Sequence, residues 1–290
     1  MTESRSNYKT VWTTLSETER QAVLHVIGDF DEPRIQAEAE ITRQYLDEAV
    51  GILPDDVILE IGCGIGRVGQ VLAPRCKQWI GCDVSPNMLA YAKQRLAGFD
   101  NVRLVELSGF DLQPIASASV DLVYCTVVFM HLEEWDRYNY IAEAQRVLRP
   151  GGRIFVDNFN LCSDEGWAVF ETHRRIPPSE RPPHISKSST PQELETYLYR
   201  AGFQGIHMRE QRWWVQAYGV KPLATQAGDM PPASTSPVNL RLAEHERELA
   251  RLHVVVAAKN MHIERLEQLL AQIERGRLMR IMRWLNRSRT

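Results

Sequence analysis

VILEIGCGIGR, residues 57–67, is a short apolar run carrying one acidic residue, Glu60, followed by glycines at alternate positions, Gly62, Gly64 and Gly66. A strand that breaks into a turn without side chains lets backbone N–H groups come close to a ligand at the N-terminus of the following helix. Nineteen residues beyond Gly64, a second apolar run over 78–82 ends in Asp83. That is where the second strand of a nucleotide-type fold places a carboxylate against a ribose diol. Together the two features point to an adenosyl ligand.

The glycine spacing alone does not separate this site from a dinucleotide fingerprint, which also opens G-x-G and wants an acidic residue about 20 positions on. Two side chains decide. Arg67 stands where G-x-G-x-x-G needs a glycine for close helix packing. Glu60 would repel a pyrophosphate but suits an ammonium group such as the amino end of a methionine moiety. With these residues the chain resembles the class I S-adenosylmethionine-dependent methyltransferases, whose first motif reads E-x-G-x-G-x-G. The likeness extends over most of 50–217: DVSPNMLAYAKQRL (83–96), VDLVYCTVVFMHL (120–132) and RVLRPGGRIFVDN (146–158) follow in the family's order and spacing. The competing reading is a glycine turn with a structural role only.

The resemblance implies an α/β fold, a doubly wound and mainly parallel seven-stranded sheet of the Rossmann-like methyltransferase type. Periodicity supplies matching elements. Apolar runs at 57–61, 78–82, 102–107, 120–125 and 154–157 alternate with helical stretches near Val68 and at 86–96 and 134–148. Two helical stretches at 17–27 and 34–50 precede them, within an N-terminal cover over 1–52. Thr190, Pro191 and Glu193 supply the N-cap, first-turn proline and capping-box acid of a helix that stops at Gly202. Runs at 206–209 and 213–217 then read as an antiparallel edge. The methyltransferase domain is accordingly assigned to 1–222.

The chain has 290 residues, 44% hydrophobic and 24% charged, enough to bury a sizeable core. It has no apolar run of eighteen residues, and its first twenty residues are polar, so neither a membrane span nor a signal peptide is expected. Cys63, Cys76, Cys82, Cys125 and Cys162 are odd in number and unclustered, and read as buried, reduced thiols in a cytoplasmic protein. No His and carboxylate spacing indicates a metal. The net charge of −3 hides an asymmetry, because 275–290 carries six arginines and no acid, leaving 28 basic against 37 acidic groups elsewhere. An acidic body does not suit nucleic acid as a partner.

Residues 223–240 form a Pro/Ser-rich linker, and a heptad pattern runs over 241–274. Its a positions are Leu242, Leu249, Val256, Ile263 and Leu270, and its d positions His245, Leu252, Lys259, Leu266 and Ile273. Eight of these ten are apolar, which argues for a homo-oligomeric coiled coil of roughly 48 Å at 1.5 Å per residue. The alternative is one amphipathic helix folded back on the domain. In the tail, 275–290, Leu278, Met279, Ile281, Met282, Trp284 and Leu285 alternate with the arginines. This pattern fits peripheral contact with an anionic membrane, and it fits a partner protein's groove equally well.

The resemblance implies S-adenosylmethionine as cofactor and a set of residues around it. Gly62, Cys63, Gly64, Gly66 and Arg67 would form the glycine loop, with Glu60 toward the amino group and Asp83 and Val84 toward the ribose. Met88 would pack on the adenine, and Thr126 and Val127 would line the methionine side. At the end of the third strand, where the family commonly has an acidic residue for the adenine amino group, Ser108, Gly109 and Phe110 stand instead.

A hydroxyl acceptor needs a general base. His131 is the first candidate because its ordinary pKa suits proton abstraction near neutrality, and Asp157 and His173 are the others. A structural hydrogen bond is the competing role for His131. The proline- and arginine-bearing segment 162–189 reads as a loop-like acceptor lid. The expected activity is O-methylation of a small-molecule, lipid or glycan acceptor in cell-envelope biosynthesis. N- or C-methylation of a soluble metabolite, or a scaffold without catalysis, are the alternatives.

Overall fold

A computed structural model of the chain describes residues 7–28, 30–223, 237–275, 280–281, 283–284 and 287. Most of the linker 223–240 and much of the tail 275–290 lie outside the described residues. The chain divides into two compact units that part between Pro231 and Pro232.

In the first unit, helices α1 (Tyr8–Leu15), α2 (Glu19–Ile27) and α3 (Glu32–Val50) precede strand β1 (Val57–Ile61). Then come α4 (Arg67–Leu72), β2 (Gln78–Asp83), α5 (Pro86–Arg95), β3 (Val102–Glu106), β4 (Val120–Cys125), α6 (Glu134–Val147) and β5 (Leu148–Asn160). The chain closes through α7 (Asp164–Arg174), the two-residue β6 (Ser188–Ser189), α8 (Pro191–Arg200), β7 (Gln204–Glu210) and β8 (Trp214–Val220). The sheet order is β3-β2-β1-β4-β5-β8-β7, with β6 paired to β5. All pairs are parallel except β5 with β8 and β7 with β8. This is the doubly wound, mainly parallel sheet of seven strands, with the short β6 as an eighth.

The sheet separates two cores. Leu59, Ile61, Ile80 and Val123 face the core on one side, and Ile58, Trp79, Leu122 and Tyr124 face the other, where Leu46 of α3 and Val68 of α4 close it. Alternate residues of one strand thus enter opposite cores, as a strand buried on both faces requires. Strand order reverses between β1 and β4, so the ends of those strands open a crevice, the place where open α/β sheets bind ligands.

Several expectations change. The helix α1 lies in a region read as polar, because Tyr8 and Val11 are buried and Trp12 half-buried while Lys9 and Thr14 are exposed. Segment 162–189 is not a plain loop: it holds α7, capped by the Ser163 side chain accepting from Gly166 N. Strand β5 starts at Leu148, well before the apolar run at 154, since Gly151 N donates to Lys221 O and Lys221 N to Gly152 O, extending the edge ladder. Thr190 caps α8 by accepting from Glu193 N, but the Glu193 carboxylate takes the Arg137 guanidinium at 3.0 Å instead of closing a capping box. Four of the cysteines are buried, whereas Cys162 is exposed.

The second unit is described by one helix, α9 (Pro237–Arg275), 39 residues long and starting inside the stretch read as linker. Leu249, Leu252, Val256, Ile263, Leu266 and Leu270, all at a or d positions, are exposed. Among the described residues, no helix is long and apolar enough to cross a membrane.

Candidate active site

The crevice at the ends of β1 and β4 holds a cavity with about 890 Å³ of free space, its open mouth included. Its floor is the glycine loop, whose three glycines all have positive φ: 74° at Gly62, 52° at Gly64 and 76° at Gly66. At Gly62 a Cβ would come within 2.3 Å of Val128 Cγ2, so only glycine fits between the loop and the turn after β4.

The loop's N–H groups do not face a ligand as expected. Gly62 N and Cys63 N donate to Cys82 O at 2.8 and 2.9 Å, and Gly66 N to Cys63 O at 2.9 Å. Gly64 N donates to Asp83 Oδ2 at 2.8 Å. These bonds lock the loop onto β2 and free its surface for close approach of a ligand, so the glycines act by their lack of side chain.

Three carboxylates are buried at the site. Glu60 accepts from Tyr124 Oη at 2.5 Å, and Tyr124 Oη in turn accepts from Trp79 Nε1 at 3.1 Å. Burial pushes the Glu60 carboxyl up to about 8, against the pull of the Tyr124 bond and the Arg67 charge. Asp83 accepts Gly64 N on Oδ2 and Ser85 N, at 2.9 Å, on Oδ1. Each of its oxygens keeps a second lone pair for a ligand hydroxyl. Burial raises its pKa, and the backbone donors oppose the rise. The Asp157 carboxyl is pushed up to about 7 by burial, with the Val127 N–H and the Arg67 charge acting the other way. Arg67, buried at the start of α4, is the cation facing this group, and its Nη1 donates to Thr42 Oγ1 at 3.4 Å.

His131 lines the cavity against the edge of Trp12, ring centroids 4.8 Å apart. Its Nδ1 lies 2.9 Å from His184 O. A carbonyl only accepts, so Nδ1 carries the proton and Nε2 holds the lone pair. Burial lowers its pKa to about 4, although the bond to His184 O favours the charged ring. The imidazole is therefore neutral at neutral pH, but it is a weaker base than the ordinary value of 6.5 behind its choice implied.

Glu60, Gly62, Cys63, Gly64, Arg67, Asp83, Val84, Met88, Thr126, Val127 and His131 come together around this one cavity. Six expected residues do not line it. Gly66 is the N-cap of α4 and packs toward Ala92 and Leu96. Ser108, Gly109 and Phe110 form a turn in which Ser108 Oγ accepts from Phe110 N, and Phe110 is 63% exposed. Leu107 and Tyr8 take that wall instead. Asp157 lies behind the wall, accepting Val127 N at 2.7 Å. His173 bonds Ser186 O at 3.1 Å and lines a different cavity.

The N-terminal cover does reach the site, but the sequence reading did not place α1, and it expected α3 there as well. Tyr8, Trp12, His25 and Val26 of α1 and α2 close the cavity, whereas α3 packs on the far face of the sheet through Leu46. Tyr8 Oη donates to Asp136 Oδ2 at 2.5 Å and accepts from Glu133 N at 3.0 Å, fastening α1 in place. The spacing Tyr8, Val11, Trp12, Leu15 was the available signal.

A sheet of this order, with Glu60 near the end of β1 and Asp83 at the end of β2, is the arrangement expected around an adenosyl cofactor. Comparison with known proteins agrees. Residues 59–156 match the family model for a methyltransferase domain. The chain is 27% identical over 191 residues to a malonyl-[acyl-carrier protein] O-methyltransferase of Herminiimonas arsenicoxydans, covering 62% of this chain and 65% of that one. It is 32% identical over 149 residues to a probable S-adenosylmethionine-dependent methyltransferase of Mycolicibacterium smegmatis, 51% of each. Among solved structures, magnesium protoporphyrin IX methyltransferase from Synechocystis with bound SAH superposes with a TM-score of 0.55 at 19% identity, over 73% of this chain and 99% of that one. That likeness concerns the fold. Against the curated relatives named here, the chain spans about half to two thirds of their length. Residues 59–156 are thus a methyltransferase domain, and S-adenosylmethionine is the cofactor of that domain.

The residues present fit that cofactor. Among the described residues Thr126 Oγ1, buried on the cavity wall, has no hydrogen-bond partner, which suits a polar ligand atom there. Three buried carboxylates against one arginine favour a ligand with net positive charge, as a sulfonium compound has.

Proposed function

We propose that this chain is a methyltransferase that transfers the methyl group of S-adenosylmethionine to an acceptor oxygen, with His131 as general base. The observation that carries the reading is the fixed neutral tautomer of His131, Nδ1–H on the His184 carbonyl and Nε2 unprotonated beside the cavity. When bound, the cofactor supplies a methyl group on a sulfonium centre. Glu60 would hold its amino end, Asp83 its ribose, Met88 its adenine, and Thr126 Oγ1 a polar atom of the methionine part. Trp12 and Tyr8 exclude water, which leaves alignment of the acceptor as the main catalytic task. A nearby base adds typically 10²- to 10⁴-fold.

The same proposal covers the acceptor and the place of action. The acceptor is a small molecule, lipid or glycan of the cell envelope, met by the segment 162–189, and the enzyme works in the cytoplasm, peripheral to the membrane. Its support is the six arginines and apolar residues of 275–290, of which Ile281 and Trp284 are exposed among the described residues. The exposed a/d stripe of α9 supports a coiled coil between copies of the chain.

Incubation with methyl-labelled cofactor and a cell extract, followed by identification of the product, tests the reaction. With that acceptor, His131→Ala is expected to lower turnover about a hundredfold or more at nearly unchanged cofactor affinity. Because the ring is neutral down to about pH 4, turnover at saturating cofactor should show no acid limb near 6.5. Turnover preserved per folded molecule, or methyl transfer to nitrogen or carbon, would overturn the reading.

A further inference from the structure

We propose that a second cavity, between α7 and the segment 181–188, binds an amphiphilic anion: a carboxylate- or phosphate-bearing molecule with an apolar body. The cavity has about 750 Å³ of free space, mouth included. Leu161, Phe170 and Ile185 form its apolar side, and Arg181 and Lys187 bring cationic groups to it, while no carboxylate lines it among the described residues.

The cations are not equivalent. Lys187 Nζ is paired with Glu133 Oε2 at 2.5 Å and the rim residue Arg174 with Glu171 at 2.8 Å. Arg181 donates Nε to Ile176 O at 3.0 Å, a neutral acceptor, and has no carboxylate partner among the described residues. Its two terminal amino groups remain as a forked donor, the arrangement that takes carboxylate or phosphate through two parallel bonds. The Nε bond holds the guanidinium in place before any ligand arrives, so little freedom is lost on binding.

The rest of the wall is also held. Ile185 N donates to Pro182 O at 3.1 Å and Lys187 N to Met130 O at 2.7 Å, and His173 is turned inward by its bond to Ser186 O. At the mouth, Phe170 stacks on Trp167 with ring centroids 5.2 Å apart, and both rings are exposed, 39% and 50%. A stacked aromatic pair left in water beside an arginine with no counter-charge matches a ligand that joins an apolar body to an anionic end. The claim concerns binding and stands apart from methyl transfer, so either can fail without the other.

The test uses the full chain with dodecanoate, dodecyl phosphate and dodecanol below their micelle concentrations, followed by calorimetry and tryptophan fluorescence. Saturable binding of at least one anion is expected, with dodecanol tenfold weaker or more, and the two anion arms tell carboxylate from phosphate. Arg181→Gln should weaken the anion tenfold or more and leave S-adenosylmethionine affinity unchanged. Trp167→Phe should keep the binding and remove most of the quench. The exposed apolar residues of α9 would take up all three probes without regard to charge, so dodecanol bound as well as the anions overturns the proposal. An Arg181→Gln affinity within twofold of the parent overturns it too. Should that variant not fold, Leu161→Trp, which fills the cavity from its apolar side, is expected to abolish anion binding, and retained binding counts against the site.

Discussion

Val127 is a β-branched residue in left-handed backbone, φ 61°, a conformation that costs about 1–2 kcal/mol relative to the right-handed regions. Asp157 opposes that cost by accepting Val127 N at 2.7 Å from a fully buried position. The turn so held presents Thr126 Oγ1 to the cavity and sets Val128 against Gly62. Asp157 thus acts through Val127 and is a positioning residue. Asp157→Ala is expected to weaken S-adenosylmethionine binding about tenfold, while Asp157→Asn, whose amide oxygen still accepts, stays close to the parent. Val127→Gly in the Ala background should recover most of the loss, since glycine adopts the conformation without strain. Equal losses in the Ala and Asn variants by calorimetry, or no recovery with glycine, would contradict this role.

At this scale the motif residues were legible because local sequence fixes them: Glu60 stands next to the end of β1 and Asp83 at the end of β2, in strands whose register the apolar runs define. Tyr124 was not, because its bond to Glu60 crosses from β4 to β1 and depends on their pairing. Ser108 to Phe110 were misplaced because α1, distant in sequence, brings Tyr8 to that wall.

Among the elements, the alternating strands and helices could be read from periodicity, and the exceptions have identifiable causes. In α7 the glycine at its third position looks like a helix breaker, yet a Cβ at Gly166 would stand 1.8 Å from Asn160 O. Close packing of the helix start on β5 therefore demands glycine there. In α9 the apolar stripe was plain, but strand number and partner were not, because few charged pairs fall at its e and g positions. A helix of 39 residues spans roughly 58 Å at 1.5 Å per residue, and its exposed stripe needs a partner to be stable in water. Truncation after Ile273 is expected to leave self-association intact by light scattering, since the seam ends there, and to abolish sedimentation with anionic liposomes. Arginines near an anionic surface contribute about 1 kcal/mol each, and salt screens only that part. A monomeric full-length chain would remove the coiled coil, and full-length protein that ignores liposomes at low salt would remove the membrane contact.

For the whole molecule, the decisive property is charge: an acidic body folded around three buried carboxylates, with Arg67 as the cation beside them. Burial raises the pKa of each carboxylate, to about 8 at Glu60 and about 7 at Asp157, and upward at Asp83. Without ligand, Glu60 and Asp157 hold protons near pH 6.5 and lose them as pH rises toward 8. A bound sulfonium favours the ionised forms, so binding releases protons and strengthens over that window. S-adenosylhomocysteine shares the titrating amino group and lacks the positive sulfur, which makes it the internal reference. The most direct measurement is calorimetric titration of both compounds, and of NAD, at pH 6.5 and pH 8. The account predicts saturable binding of S-adenosylmethionine and no comparable binding of NAD. It predicts a preference over S-adenosylhomocysteine that grows severalfold from pH 6.5 to pH 8, and a loss of about 1.5–3 kcal/mol in a folded Asp83→Ala variant. Unchanged affinity in that variant, a pH-independent ratio of the two compounds, or tighter binding of NAD would contradict it.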